Sequence, residues 1–257
     1  MSEPVVWLAD GSPHSPRFND RYRTSSGGLA QAFTVFLAGC GLPEGWRGNS
    51  RFTVLETGFG LGLNFLTTWA AWEADAQRCD CLRYAAIEGY PVAPAAIVRS
   101  AHSLSPPTPT RQVDVQRDCP GLLARVPVLA QELAQVWHDV APGIHRFAFA
   151  DGRVQLTLAV GEACPMLERL LAEVGGTAAA DAVYLDGFSP ALNPEMWSAP
   201  TLKAVARHCH LGTRLATYSV AKSVREGLAQ LGFRVEKCPG LPPKRQRLQA
   251  LLLASMV

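Results

Sequence analysis

The chain has 257 residues, of which 48% are hydrophobic and 18% charged, with a formal net charge of +2. This length suits one α/β domain with a substantial core, and a pI of about 8.2 excludes a strongly basic nucleic-acid domain. No run of about 18 apolar residues and no signal-peptide pattern occurs, which predicts a cytoplasmic protein. Seven scattered cysteines favour reduced thiols, and the spacing of cysteine and histidine predicts no metal site.

The first part of the chain, residues 1–50, is predicted to be a small extension that packs over the binding edge of a main domain at 51–257. Asp10-Gly11 follows the apolar run Val5-Val-Trp-Leu8 and indicates a hairpin turn. Three arginines, at positions 17, 21 and 23, add local positive charge.

From residue 51 onward, strand-like apolar runs alternate with helical patterns. Strands are predicted at 53–56, 84–88, 154–160, 182–186, 214–218, 234–237 and 248–254. Helices are predicted at 63–74, 166–174, 202–208 and 220–231, with another around 129–140 and a proline-rich surface insertion at 105–110. The alternation predicts an α/β fold with a seven-stranded, mostly parallel sheet covered on both faces. Ligands of such sheets bind beyond the carboxyl ends of the strands.

The first of these strands runs into three alternating glycines and then a helix, in Thr53-Val-Leu-Glu-Thr-Gly-Phe-Gly-Leu-Gly-Leu-Asn64. Gly58, Gly60 and Gly62 let the backbone turn tightly and approach a ligand. A dinucleotide fingerprint would need glycine at position 63, and no Walker A lysine or nucleophile elbow occurs. The spacing, with Glu56 at the strand end, is typical of the S-adenosylmethionine (SAM) loop of class I methyltransferases. The alternative is a tight connection without a ligand.

Two acids follow the next strands. Glu88 closes the second strand, and its carboxylate can accept both hydroxyls of a ribose. Glu162 follows the third strand and offers an acceptor for an adenine amine. The alternatives are a solvated strand-end glutamate for Glu88, and for Glu162 a glutamate favoured by the helix dipole.

The fourth strand stops at a carboxylate in Tyr184-Leu-Asp-Gly-Phe-Ser-Pro-Ala-Leu-Asn-Pro-Glu-Met-Trp197. Asp186 is predicted to project toward the transferable methyl group and to take a proton from an acceptor amine, which must be neutral to attack. The alternative role for Asp186 is an Asx turn before glycine. Phe188, Trp197 and Tyr218 are candidates for stacking on a planar substrate, although aromatic residues also serve as core packing.

The two motifs LETGFGLGLNFLTTW and VYLDGFSPALNPEMW together resemble the methyltransferase domain of the bacterial bifunctional enzyme that makes 5-methylaminomethyl-2-thiouridine at the tRNA wobble position. The resemblance covers nearly the whole chain, including VFLAGCGLPEGW, LATYSVAKSVREGLAQLGF and GLPPKRQRL. It implies a class I fold, SAM as methyl donor, and the aminomethyl group of 5-aminomethyl-2-thiouridine at tRNA position 34 as acceptor.

Carried over by position, the resemblance assigns particular residues to the site. It implies SAM contacts for Glu56, Gly58, Gly60, Gly62, Asn64 and Glu88, with Glu162 where the family usually has aspartate and Asp186 facing the acceptor amine. The chain departs from the family pattern in the N-terminal extension at Ala30, Cys40 and Gly45. The family's other half is a flavin-dependent oxidase, so an oxidase domain or protein of the same pathway is a candidate partner.

Charge is unevenly distributed along the chain. Residues 201–257 carry a net +8 and residues 1–200 a net −6. Such polarity can orient a protein on a phosphate backbone, and Lys244 and Arg245 are the predicted contacts to a tRNA anticodon loop, whose bases are already unpaired. The alternative interpretation of the charges is a solvated positive face.

Two alternatives to the implied function stay open. The chain could be a methyltransferase for another amine or a small molecule, or a non-catalytic SAM-binding or tRNA-binding domain.

Overall fold

A computed structural model of the chain describes residues 2–24, 27–104, 115, 119–138, 140–173, 175 and 180–254. Its strands are β1 Val6–Trp7, β2 Pro13–Ser15, β3 Asp20–Arg21, β4 Arg51–Glu56, β5 Cys81–Glu88, β6 Gly143–Phe149, β7 Val154–Val160, β8 Ala180–Tyr184, β9 Cys209–Thr217, β10 Phe233–Pro239 and β11 Gln246–Leu252. Its α-helices are α1 Gly28–Gln31, α2 Leu63–Ala74, α3 Pro94–His102, α4 Leu122–Val136, α5 Ala163–Glu173, α6 Ala199–Arg207 and α7 Lys222–Gln230. A π-helix, Ala32–Leu37, and short 3-10 turns at Ala38–Cys40, Glu44–Trp46 and Pro194–Trp197 complete the assignment.

The main sheet has the strand order β10-β11-β9-β8-β4-β5-β7-β6. The five central strands, from β9 to β7, are parallel, whereas β6, β10 and β11 pair antiparallel with their neighbours. The predicted α/β fold is therefore confirmed, and all seven predicted strands are present. The eighth strand, β6, was missed because it is a partly exposed edge strand whose sequence, GIHRFAF, places His145 and Arg146 within the apolar pattern.

Helices cover both faces of this sheet, as the alternating pattern predicts. One face packs against the π-helix, α2 and α4, through a cluster that includes Phe36, Phe65 and Trp69. The other face packs against α5, α6 and α7, where Leu167 and Val205 are fully buried. Both faces of the parallel strands are therefore covered by apolar side chains. The polar site residues lie instead where these strands end, at their carboxyl termini.

The N-terminal strands form a separate three-stranded antiparallel sheet, β1-β2-β3. The predicted hairpin at Asp10-Gly11 is confirmed, with Gly11 at φ 74° and Ser12 N donating to Asp10 Oδ1 at 3.0 Å. This small sheet is anchored at the edge of the main sheet, because Ser189 N donates to Asp20 Oδ2 at 2.9 Å and the Phe18 ring stacks on Phe188 at 4.6 Å between centroids.

The proline-rich insertion predicted at 105–110 lies outside the described residues. Within the part of the chain that the structure describes, no helix combines the length and the apolar character needed to cross a membrane.

Candidate active site

The glycine loop joins β4 to α2 and lies against the turn that follows β8. Gly60 and Gly62 have φ of 53° and 72°, in the left-handed region that favours glycine. A Cβ on Gly58 would lie 2.9 Å from the backbone oxygen of Asp186 and 3.1 Å from the Cα of Gly187. Glycine is therefore required at position 58 by the close approach of two chain segments rather than by its own φ.

A cleft of about 550 Å³ opens beyond the carboxyl ends of the parallel strands. It is bounded by the glycine loop, by the segments after β5, β7 and β8, and by the N-terminal sheet. The predicted site residues that line it are Gly58, Gly60, Asn64, Glu88, Glu162, Asp186 and Phe188. The fold thus brings seven residues, spread over 131 positions of sequence, around one cavity.

The Asn64 amide connects two carboxyl groups below the cleft. Its Nδ2 donates to Glu56 Oε1 at 2.7 Å and to Asp186 Oδ2 at 2.8 Å. The hydroxyl of Tyr84 donates to the other oxygen of Glu56, Oε2, at 2.9 Å. Both hydrogens of one amide group are therefore used to hold the two carboxyl groups in place.

Glu56 has no exposed surface and does not line the cleft. Burial, with the neighbouring Asp186 as a second cause, raises the pKa of Glu56 well above its usual value. The predicted contact between Glu56 and SAM is therefore wrong, because Asn64 and Tyr84 occupy both oxygens and separate the carboxyl from the cavity. Glu56 instead positions Asn64.

Asp186 lies at the cleft surface with both carboxyl oxygens oriented. Oδ1 accepts from Gly187 N at 2.9 Å, and Oδ2 accepts from Asn64. Thr57 Oγ1 donates to the backbone oxygen of Asp186 at 2.7 Å, which fixes the turn itself. Burial raises the pKa of Asp186 to about 6, although the bonds from Gly187 and Asn64 oppose the shift. The group is mainly ionised at neutral pH and close enough in pKa to accept a proton.

Glu88 is held by backbone donors from both sides. Gly60 N donates to Oε2 and Tyr90 N to Oε1, each at 2.7 Å. Burial raises the pKa of Glu88. A carboxylate has about four acceptor sites, so the oriented group can still accept a hydroxyl donor. Glu162 lies exposed at the mouth of the same cleft.

The three predicted stacking residues lie in different surroundings. Phe188 lines the cleft, with Phe18 stacked on it and the Tyr22 ring edge-on at 5.0 Å. Trp197 is only 5% exposed, and its Nε1–H donates to Phe188 O at 2.8 Å. The prediction that Trp197 stacks on substrate is therefore wrong. Its ring instead holds the turn in place from the core side. Tyr218 donates its hydroxyl to Gly187 O at 2.6 Å.

Tyr218, Lys244 and Arg245 line a separate groove rather than the main cleft. Lys244 Nζ lies 3.6 Å from the centroid of the Tyr218 ring, so one face of that ring is already covered by a cation.

Gly62, the third glycine of the loop, does not line the cleft. It is the N-cap residue of α2, where a Cβ would lie 3.0 Å from the ring of Phe59.

Sequence reasoning missed several residues of the cleft. Tyr22, Arg21 and Arg23 reach it from the N-terminal sheet, and Ser100 reaches it from α3. Ser100 is 2% exposed, and its hydroxyl is buried without a hydrogen-bond partner within the described residues. The arginine cluster gave a weak signal of charge, but nothing local in the sequence marks Tyr22 or Ser100.

The three departures from the family pattern do not line the cleft. Ala30 and Cys40 are buried in the core, with the Cys40 thiol 3.5 Å from the Val183 oxygen, and Gly45 belongs to a 3-10 turn.

No group of three or more histidine, cysteine, aspartate or glutamate side chains arranged to hold a metal occurs among the residues that the structure describes.

Comparison with known proteins identifies the family. A model of S-adenosyl-L-methionine-dependent methyltransferases matches residues 125–252. The chain is also similar to proteins named tRNA 5-methylaminomethyl-2-thiouridine biosynthesis bifunctional protein MnmC, at 53% identity in Paracidovorax citrulli and 51% in an Acidovorax species. Each match covers 97% of this chain and 35% of the relative. The chain belongs to the S-adenosylmethionine-dependent methyltransferase family. The predicted resemblance, and SAM as methyl donor, are confirmed.

A solved structure supports the same fold for this methyltransferase. The crystal structure of MNMC2 from Aquifex aeolicus superposes with a TM-score of 0.69 at 21% identity, covering all of this chain and 73% of that chain. The class I fold is therefore confirmed. The methyltransferase spans about a third of the length of the curated relatives it matches.

Glu56→Gln is expected to leave the methyltransferase folded, whereas Glu56→Ala is expected to destabilise it. Glutamine keeps an acceptor oxygen for Asn64 and presents an N–H that can donate to the Tyr84 oxygen in a reversed bond, but alanine leaves both buried groups without this partner, at a cost of about 1–3 kcal/mol each. Urea unfolding at pH 7 measures both free energies of unfolding. Equal losses in the two variants would contradict this hydrogen-bond network.

Wild type and Glu56→Gln are expected to differ in how their free energy of unfolding depends on pH. Because the pKa of Glu56 is raised in the folded state, its contribution to the free energy of unfolding decreases as pH rises above the ordinary value of 4.5. Glu56→Gln removes this decrease, so its free energy of unfolding should rise relative to wild type between pH 5 and pH 8. A constant difference over that range would show that Glu56 is ionised in the fold.

Proposed function

We propose that this methyltransferase N-methylates the aminomethyl group of 5-aminomethyl-2-thiouridine at wobble position 34 of tRNA, giving 5-methylaminomethyl-2-thiouridine. The observation that carries the proposal is the position of Asp186, an oriented carboxylate at the surface of the cleft beside the glycine loop. The names of the MnmC relatives supply the product, 5-methylaminomethyl-2-thiouridine in tRNA, and their identity of about half over nearly the whole chain supports its transfer to this protein.

The residues of the cleft fit SAM. The glycine loop lines the cleft at Gly58 and Gly60, and Glu88 supplies an oriented acceptor for ribose hydroxyls. Glu162 at the mouth suits the adenine amine, and Asn64 lies where α2 begins. When bound, SAM supplies an electrophilic methyl group on a sulfonium.

Asp186 would prepare the acceptor amine. The Asp186 carboxylate would accept the proton that the acceptor nitrogen must lose when it takes the methyl group of a bound SAM. Asn64 and Gly187 hold that carboxylate in one orientation, which aligns the nitrogen with its target. Phe188 offers a ring at the cleft wall against which the thiouridine base can pack.

The positive C-terminal part of the chain would face the tRNA backbone, with Lys244 and Arg245 as phosphate contacts. The first part of residues 1–50, the sheet β1-β2-β3, would act as the extension that closes the cleft over the ligands, which the contact between Phe18 and Phe188 supports; the π-helix at 32–37 packs on the main sheet instead. A flavin-dependent oxidase of the same pathway would be the partner, since the bifunctional relatives are about three times as long as this chain. A tRNA-modifying activity also supports the predicted cytoplasmic location.

Asp186→Asn is expected to slow methyl transfer by about 10²–10⁴-fold, the usual contribution of a general base, while SAM affinity changes little. Radiolabelled methyl transfer to tRNA from a strain lacking this activity measures the rate, and calorimetry measures SAM binding. For wild type, kcat/KM should fall about tenfold per unit as pH drops below about 6, where Asp186 becomes protonated. A variant that keeps the wild-type rate and profile would remove Asp186 from the mechanism.

Failure of wild type to label tRNA, with labelling of a free amine instead, would point to a small-molecule methyltransferase. SAM and tRNA binding without any transfer would point to a non-catalytic binding domain. Either result would overturn the proposed acceptor while leaving the family assignment unchanged.

Arg23→Gln is expected to weaken binding of S-adenosylhomocysteine by about tenfold to a hundredfold and to leave 5′-methylthioadenosine, which lacks the amino-acid carboxylate, unaffected. The Arg23 side chain lines the cleft beside Gly28 of α1 and donates only to Ser103, with no ion pair to a carboxylate among the described residues. Calorimetry with both ligands measures the difference.

Arg21→Gln is the matched control, because Arg21 also lines the cleft but is already paired with Asp10. Equal loss of both ligands in Arg23→Gln would assign Arg23 a purely structural role.

A further inference from the structure

A second groove, of about 380 Å³, lies beside the main cleft. Its walls include Ser189, Pro190, Tyr218, Val220, Lys244 and Arg245. It combines two cations with an apolar surface, since Val220 is 39% exposed next to the proline. A positively charged groove that contains an aromatic side chain, here Tyr218, is typical of a binding site for single-stranded nucleic acid.

The two cavities share one wall, the turn at residues 186–190. Its first part, through Phe188, lines the main cleft, and its second part, Ser189 and Pro190, lines the groove. The Tyr218 hydroxyl donates to Gly187 O at 2.6 Å and fixes the turn from the groove side. A chain with one residue in the main cleft can therefore continue directly into the groove.

The cations of the groove are free to meet an anion. Neither Lys244 nor Arg245 forms an ion pair with a carboxylate within the part of the chain that the structure describes, whereas Arg234 on β10 lies 3.2 Å from Glu236. Lys244 lies over the Tyr218 ring, where desolvation lowers its pKa although the carboxylates of Asp186 and Asp20 act in the opposite direction. A phosphate in the groove would supply the direct ion pair that neither carboxylate makes.

We propose that this groove binds the nucleotide next to the wobble uridine, with Lys244 and Arg245 on its phosphate and with Val220 and Pro190 against its base. The inference rests on the proposed function, because it requires the uridine to occupy the main cleft. Anticodon-loop bases can be splayed apart at modest cost, so two neighbouring nucleotides can enter two cavities on either side of one turn.

The test uses an anticodon stem-loop RNA that carries 5-aminomethyl-2-thiouridine at position 34, with matched RNAs that are abasic at position 33 or at position 35. Binding is measured by fluorescence anisotropy at several salt concentrations. Arg245→Gln should weaken binding and reduce the slope of log Kd against log salt by about 0.7 for the phosphate lost. Arg234→Gln, the same loss of charge outside the groove, should leave both quantities nearly unchanged.

The base contact is tested with Val220→Ala. Wild type should bind one of the two abasic RNAs about fourfold more weakly, and Val220→Ala should bind the intact RNA about fourfold more weakly, as expected for one buried methylene equivalent. The two losses should not add, because each removes the same contact. Unchanged melting temperatures would show that the variants are folded.

Two results would overturn the inference. One is equal weakening by Arg245→Gln and Arg234→Gln, which would mean general attraction of charge. The other is wild-type affinity that is the same for the intact and both abasic RNAs. Methyl transfer by wild type to the intact stem-loop is scored separately: its absence counts against the proposed function, whereas normal transfer with either result above counts only against the groove.

Discussion

The site depends on one amide group, the side chain of Asn64, which donates to both Glu56 and Asp186. Two carboxyl groups buried this close repel each other when ionised, so the arrangement is stable only if one of them is neutral and both are hydrogen-bonded. Burial and repulsion raise the pKa of Glu56 well above its usual value, which leaves Asp186 as the ionised member. A buried neutral acid thus orients, through Asn64, the carboxylate that faces the cleft.

The same network joins the two sequence motifs. The glycine loop and the turn after β8 meet because position 58 has no Cβ and because Thr57 donates to the backbone oxygen of Asp186. The glycine loop and the turn after β8 are therefore parts of one packed unit. A rigid unit of this kind suits a displacement reaction, in which most of the rate comes from alignment.

The turn after β8 also organises the surroundings of the site. Phe18 and Tyr22 pack on Phe188 from the N-terminal sheet, Trp197 holds the Phe188 backbone from the core, and Tyr218 holds Gly187 from the neighbouring groove. Three separate segments thus converge on a few residues, which explains why that turn can separate two cavities without losing its shape. The N-terminal departures at Ala30 and Cys40 lie in packing away from this point, so they leave the walls of the cleft intact.

The sequence by itself determined the α/β fold, the seven main strands, the glycine loop and the acids at the strand ends, because periodicity, glycine spacing and strand-end carboxylates are local properties. It also pointed to Asp186. Only the tertiary structure decided that Glu56 is sealed behind Asn64, that Trp197 is core, that Arg23 and Ser100 reach the cleft, and that β6 completes the sheet. Each of these depends on which distant segments pack together, and the direction in which a side chain is buried is set by its partners across the fold rather than by its neighbours in the chain.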